Sequence, residues 1–131
     1  LISYRSFRGY QLTQSEDSDD TLFAEKAASY ERYQGEKLVK RFFDAYSYYC
    51  LCDAVDSHNV GRGRGGVKEA LKRIKAHCTV VSIDSDSLFP PEEGREWASW
   101  IPDAEYIVIK SDYGHDGFLL ETDQITSILL K

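Results

Sequence analysis

The chain has 131 residues, 42% of them hydrophobic and 29% charged, which allows one compact domain and leaves little room for two. With 22 acidic residues against 16 basic ones, its formal net charge of −6 argues against a protein that grips nucleic acid by neutralising phosphates. No apolar run approaches the ~20 residues of a membrane span, and three cysteines without a Cys-x-x-Cys pair suit a reducing cytoplasm better than a disulfide framework.

The pattern changes near residue 77, helical and aromatic before it, alternating strand and helix after it. Residues 15–20 (SEDSDD) read as an acidic loop feeding the positive end of a helix, whose face carries Phe23, Ala27 and Tyr30 at i, i+4 and i+7. Gly35 is expected to interrupt, and a second run then places Leu38, Phe42, Ala45, Tyr46 and Tyr49 on one helical stripe. Residues 56–66 (DSHNVGRGRGG) read as a flexible connection, with four glycines in the last six positions. Val67, Ala70, Leu71 and Ile74 make a third amphipathic helix, and Lys68, Lys72, Arg73 and Lys75 form its solvated face.

Beyond residue 77 the period shortens. Cys78–Ile83 (CTVVSI) is a short β-branched run with the look of a strand buried on both faces of a parallel sheet. Pro91 suits the first position of a helix with Glu92 and Glu93 in its first turn, Trp97, Trp100 and Ile101 on its inward face, and Pro102 as its stop. Residues 105–109 (EYIVI) are a second strand, and 121–131 a closing helix with Ile125, Ile128 and Leu129 inward. Strand, helix, strand and helix in this order predict an α/β fold built on a βαβ crossover. Two parallel strands need further partners, so the remaining strands are expected from sequence outside this chain. A chain that begins at Leu1 and contains no methionine fits that expectation.

In open α/β folds, chemistry gathers at the carboxyl ends of the strands. Here residues 84–91 (DSDSLFPP) follow the first strand and residues 111–118 (SDYGHDGF) follow the second. An acid, Asp86, and a histidine, His115, therefore sit on neighbouring loops, where the carboxylate can accept a hydrogen bond from the imidazole Nδ1–H. Such a pair is either a surface hydrogen bond between polar loops or the acid and base of a nucleophilic triad, whose chain order here would suit an α/β hydrolase. The nucleophile's usual setting, Gly-x-Ser-x-Gly, occurs nowhere in the chain, so a triad serine is expected upstream of Leu1. Cys50 and Cys52 belong to the helical part and Cys78 opens a strand at the wrong end, so none of them replaces it. A calcium loop over residues 84–95 fails, with no glycine at the sixth place and Arg95 at the twelfth, and no zinc spacing exists, so no metal is expected.

Several strings together resemble one family. Ile2-Ser3-Tyr4-Arg5-Ser6, Tyr33-Gln34-Gly35-Glu36-Lys37 with Arg41-Phe42, Asp56-Ser57-His58 with Gly61-Arg62-Gly63-Arg64, then DSDSLFPP and residues 111–119 (SDYGHDGFL) are similar to the homoserine O-acetyltransferases, acyltransferases of the α/β-hydrolase fold. The resemblance runs through the whole chain. It departs at Tyr46, where the family often has asparagine. It implies that residues 1–76 are a helical lid through which homodimers form, and that residues 77–131 are the last two parallel strands of the hydrolase core with their helices. It also implies that Asp86 and His115 are the triad acid and base, that Asp116 binds the homoserine amine, and that Tyr4 lies near the amino-acid pocket. The reaction implied is ping-pong transfer of an acetyl group from acetyl-CoA, a co-substrate rather than a bound cofactor, to the hydroxyl of L-homoserine in cytoplasmic methionine biosynthesis. A homoserine succinyltransferase, a serine acetyltransferase, an esterase of the same fold, or a lid-derived dimerisation module without activity are the alternatives. No membrane or nucleic-acid partner is implied.

Overall fold

A computed structural model describes residues 2–18, 22 and 25–131. In chain order it contains a 3-10 turn (Ile2–Tyr4), α1 (Phe7–Gln14), α2 (Glu25–Lys40), α3 (Ala45–Ser57), α4 (Val67–Leu71), β1 (Cys78–Ile83), α5 (Pro91–Ala98), β2 (Ala104–Ile109), a second 3-10 turn (Gly114–Asp116), α6 (Gly117–Leu120) and α7 (Thr122–Leu129). Phe23, Asp19 and Asp20, assigned above to a helix face and an acidic loop, lie outside the described residues. None of the helices described is long and apolar enough to cross a membrane.

The two strands pair in parallel, from Cys78 opposite Ala104 to Ile83 opposite Ile109. Their connection is α5, started by Pro91 at a position whose backbone N–H has no helical partner to lose. It lies close on the sheet through Gly94, where an added Cβ would collide with Ser82 Oγ. Tyr106 on β2 fastens it, donating its hydroxyl to the Pro91 carbonyl at 2.6 Å while the Arg95 guanidinium covers its ring. The helix ends at Ala98, short of Trp100 and Ile101, with Ala98 as its buried residue. Ile83 and Ile109 meet as the innermost pair, at the carboxyl ends of both strands.

The expectation that β1 is buried on both faces holds only at Ser82 and Ile83; Thr79 and Val81 are exposed. The two edges of the sheet also differ. Ile109 O accepts from Asp84 N and Ser111 N donates to Asp84, so these groups face β1. Lys110 between them faces outward, and there the side-chain amide of Gln124 accepts from its N–H at 3.1 Å and donates to its carbonyl at 2.8 Å. Gln124 occupies the place of a neighbouring strand and seals that end of β2. By contrast, no strand pairs with the other side of β1 among the described residues. Val80, Val81, Ser82 and Ile83 all line one hollow of 390 Å³. Successive residues point to opposite faces, so a hollow touching all four runs along the strand's edge.

The N-terminal part corrects the expected helix boundaries. Gly35 does not interrupt; α2 runs straight through it with open space beside its Cα. The break comes at Phe42, in the left-handed region at φ 56°. Phe42 N donates to Val39 O and Phe43 N to Leu38 O, the bonding of a Schellman termination. Leu38 and Phe42 therefore share no stripe with Tyr46 and Tyr49. Asp44 starts α3 afresh, its carboxylate accepting from Ser47 N at 2.7 Å, and that bond draws the carboxyl below its ordinary range. Similarly, Ile74 lies beyond α4, which closes at Leu71. Residues 58–66 form hydrogen-bonded turns in which Arg62 and Arg64 donate to the carbonyls of Ser57 and Val60.

Helix α1 was not foreseen. Ser6 caps it by accepting from Gly9 N at 2.8 Å. Arg5 binds it to α2: the guanidinium lies 4.8 Å from the Tyr10 ring centre and 5.1 Å from that of Tyr30, and donates to Thr13 Oγ1. The Tyr10 hydroxyl donates to Glu31 at 2.7 Å. Burial first, then the bond to Glu31 and its negative charge, push this phenol up from 10.0 to about 12. A raised folded-state value stabilises the fold fully below pH 10 and loses that contribution as pH rises to about 12. Tyrosinate absorbance of wild type minus Tyr10→Phe is therefore expected to titrate near pH 12; a midpoint at 10 would show that the helix pair does not hold the phenol.

Candidate active site

The site grows from the carboxyl ends of the two strands. The chain turns after β1 with Asp86 N donating to Ile83 O. The Asp86 carboxylate then folds back over its own turn, Oδ1 accepting from Leu88 N at 2.8 Å and Phe89 N at 3.0 Å. These two bonds leave Oδ2 aimed across at the β2 loop, where it meets His115 Nδ1 at 2.8 Å. The carboxylate side chain is 5% exposed and the imidazole 22%. A buried carboxylate needs partners for both oxygens, and this one has three without any cation. The contact engages Nδ1 with an acceptor, so in the neutral ring Nδ1 carries the proton and Nε2 is the basic nitrogen.

Three rings confine the imidazole. Tyr4 and Phe89 each stand 5.3 Å from its centre and Phe118 5.5 Å, all steeply inclined. Such edge contacts resist ring rotation and displace water from the ring's flanks. Tyr4 arrives from the far end of the chain because its 3-10 turn docks on the turn that carries His115. Gly114 makes that approach close: at φ 66°, an added Cβ would lie 2.6 Å from Ser6 N and 2.9 Å from the Arg5 carbonyl carbon. Ser6 Oγ also donates to Asp112 O, so the N-terminal segment is hydrogen-bonded to the β2 loop. On the other side of the histidine, Gly117 allows α6 to rest on Ser111 and Ile83.

Asp116 points elsewhere. It lines a cleft of 610 Å³ with Arg5, Thr13, Gln14, Tyr30 and Tyr113, whereas His115 and Asp86 line the hollow at the edge of β1. Of the four residues singled out from sequence, Asp86, His115 and Tyr4 are thus clustered, and Asp116 adjoins them on the neighbouring cleft. All three cysteines are free thiols, on α3 and at the start of β1. Among the described residues no group of three or more potential metal ligands occurs. The flanking rings Phe89 and Phe118 were not foreseen as parts of the site, although each lies three residues from a member of the Asp-His pair.

Comparison with known proteins finds relatives over nearly the whole chain. The chain is 43% identical over 129 residues to the homoserine O-acetyltransferase of Cyclobacterium marinum, which covers 98% of this chain and 36% of that one. It is 45% identical over 130 residues to the homoserine O-acetyltransferase of Thermus thermophilus, covering 98% of this chain and 32% of the other. For the Chlorobaculum tepidum protein of the same name, identity is 40% over 132 residues, covering 100% and 36%. The chain thus spans about a third of the length of the curated relatives it matches. No family model matches it. Among solved structures, an alpha/beta hydrolase enzyme from a Medee basin deep-sea metagenome library superposes with a TM-score of 0.64 at 20% identity, over 98% of this chain and 40% of that one. The fold is part of an α/β hydrolase, and the likeness in sequence is to the C-terminal part of an acyltransferase family.

Proposed function

We propose that this chain is part of a homoserine O-acetyltransferase in which Asp86 and His115 are the acid and base of a Ser-Asp-His triad. The supporting observation is the 2.8 Å contact of His115 Nδ1 with Asp86 at the carboxyl ends of adjacent parallel strands, in a chain 40–45% identical to enzymes of that name. The serine belongs to the rest of the polypeptide.

His115 Nε2 takes the serine proton as the hydroxyl oxygen attacks the acetyl-CoA thioester. Asp86 holds the tautomer that makes this possible and stabilises the imidazolium formed. As the C–S bond breaks, the imidazolium returns the proton to the CoA thiolate, leaving an acetyl-serine ester. Homoserine then enters, and Nε2 removes its hydroxyl proton while the oxygen attacks the ester. Serine leaves with that proton and O-acetylhomoserine departs. Asp116, on the cleft that adjoins the Asp-His pair, supplies negative charge for the homoserine ammonium, and Tyr4 walls the imidazole. Water in place of homoserine would make an esterase; the three rings around His115 and the helices of residues 1–76, acting as a lid, oppose it. The exposed aromatic surface of α3, with Tyr46, Tyr48 and Tyr49 all outward, is the surface we assign to a homodimer contact. The reaction belongs to cytoplasmic methionine biosynthesis.

The test is thiol release by the full polypeptide, with acetyl-CoA or succinyl-CoA as donor and homoserine, serine or water as acceptor. Acetyl-CoA with homoserine is expected to exceed every other pair by at least about tenfold, the scale on which binding pockets separate related substrates. Equal release with water would indicate an esterase, and no release with any pair would leave a module without activity.

A further inference from the structure

We propose that Ser85 is a positioning residue of the acyl-transfer site, a hydroxyl clamp that sets where His115 stands. The inference rests on the acyltransferase reading for its kinetic consequences, but its geometry is independent of it.

Three consecutive residues after β1 each reach across to the β2 loop. Asp84 Oδ1 accepts from Ser111 N at 3.0 Å, Ser85 Oγ donates to Ser111 O, and Asp86 Oδ2 meets His115 Nδ1 at 2.8 Å. Side chains thereby continue the strand pairing past the point where the backbones diverge. Ser85 is the rung with two contacts, because its oxygen also accepts from Gly114 N at 3.0 Å. A hydroxyl offers one donor and two acceptor positions, so a single atom can hold a carbonyl and an N–H together. An Asn side chain would need two atoms for the task, an ionised Asp has no proton to donate to the carbonyl, and alanine would leave both backbone groups without a partner.

The location gives the clamp its leverage. Gly114 immediately precedes the histidine and adopts φ 66°, the conformation that redirects the chain into the turn carrying the imidazole. Gly114 and Ser111 are buried, so water does not readily replace the lost bonds. On this side the histidine's backbone is fixed by Ser85, as its ring is fixed by Asp86. Two neighbouring residues on one loop thus determine the position and the orientation of the same base. A shift of about 1 Å at a reacting group lowers rates by roughly a hundredfold. A serine that touches neither substrate nor the imidazole can therefore govern turnover.

The experiment uses the full polypeptide and three variants, Ser85→Ala, Ser85→Thr and His115→Ala, with steady-state acyl transfer measured across pH and the imidazole Nδ1–H resonance followed by proton NMR. Ser85→Ala is expected to lower kcat by about 10- to 100-fold. KM for the acyl donor should stay within about twofold, and the downfield Nδ1–H signal should move or broaden. Ser85→Thr, which keeps the hydroxyl, should retain at least a third of wild-type kcat and the wild-type pH profile. Unchanged kcat and an unmoved resonance in Ser85→Ala would overturn the clamp, as would an equal loss in Ser85→Thr. Hydrogen exchange in the wild type provides a reading that needs no variant. The Gly114 amide should be protected to the same degree as the paired amides of β2, and exchange as fast as that of an open loop overturns the proposal. Full activity of His115→Ala would instead remove the acyltransferase reading, while the exchange and NMR results would still decide the clamp.

Discussion

Replacing His115 with alanine is expected to reduce kcat for acyl transfer by about 10⁴-fold or more in the full polypeptide, with no loss of fold. The size follows from the proposed role: without Nε2 nothing would accept the serine proton in the first half-reaction or the acceptor's hydroxyl proton in the second. The fold should persist because Asp86 keeps its bonds from Leu88 N and Phe89 N when the imidazole is gone. Asp86→Asn should approach the same loss by another route. Its amide can donate to Nδ1 and so favour the tautomer with the proton on Nε2, where it is of no use as a base. Steady-state rates with acetyl-CoA and homoserine, beside circular dichroism of each variant, make the check. Turnover of His115→Ala within tenfold of wild type would take the histidine out of the mechanism.

The second large effect is on stability. Gly114→Ala should destabilise the protein by about 2–4 kcal/mol, the range of a left-handed strain added to a steric clash. The clash is with backbone atoms, Ser6 N at 2.6 Å and the Arg5 carbonyl carbon at 2.9 Å, so no side-chain rotation relieves it. The segment that brings Tyr4 to the imidazole would have to lift away. Gly63 is the internal control: its φ is 69°, yet nothing lies within 4 Å of an added Cβ. Gly63→Ala should therefore show the backbone strain alone, about 1–2 kcal/mol. Thermal and denaturant unfolding of both variants separates the two. Equal losses would mean that the N-terminal segment is not seated against the histidine turn.

How much of this was legible in the residues depended on the range of the forces involved. Cys78–Ile83 and Pro91 were placed correctly because β-branched runs and an N1 proline act locally. The second strand came within one residue, beginning at Ala104 rather than 105. The adjacency of Asp86 and His115 followed from topology, since parallel neighbours bring their carboxyl ends together whatever fills the loops. What failed was the helix break. Glycine is the residue of choice for ending a helix, yet Gly35 sits in the middle of α2, while Phe42 takes the left-handed position that glycine usually fills. Asp44 was the usable sign, a capping residue three before Ser47. The docking of Tyr4 on His115 had no local sign at all, because it depends on Gly114 meeting backbone about 110 residues away. Ser85 could be read only in retrospect, from a serine set between two acids at a strand end.

The amide of Gln124 has a consequence for the direction of assembly. With Lys110 already matched, the carboxyl end of β2 offers a further strand no free backbone groups, whereas the other side of β1 has no strand partner among the described residues. A strand added past β1 would lie on the Asp86 side of the pair, and a group at its carboxyl end would approach from there. Left uncovered, the apolar border of β1 is an invitation to a second copy, and this stretch of polypeptide on its own should self-associate as its concentration rises.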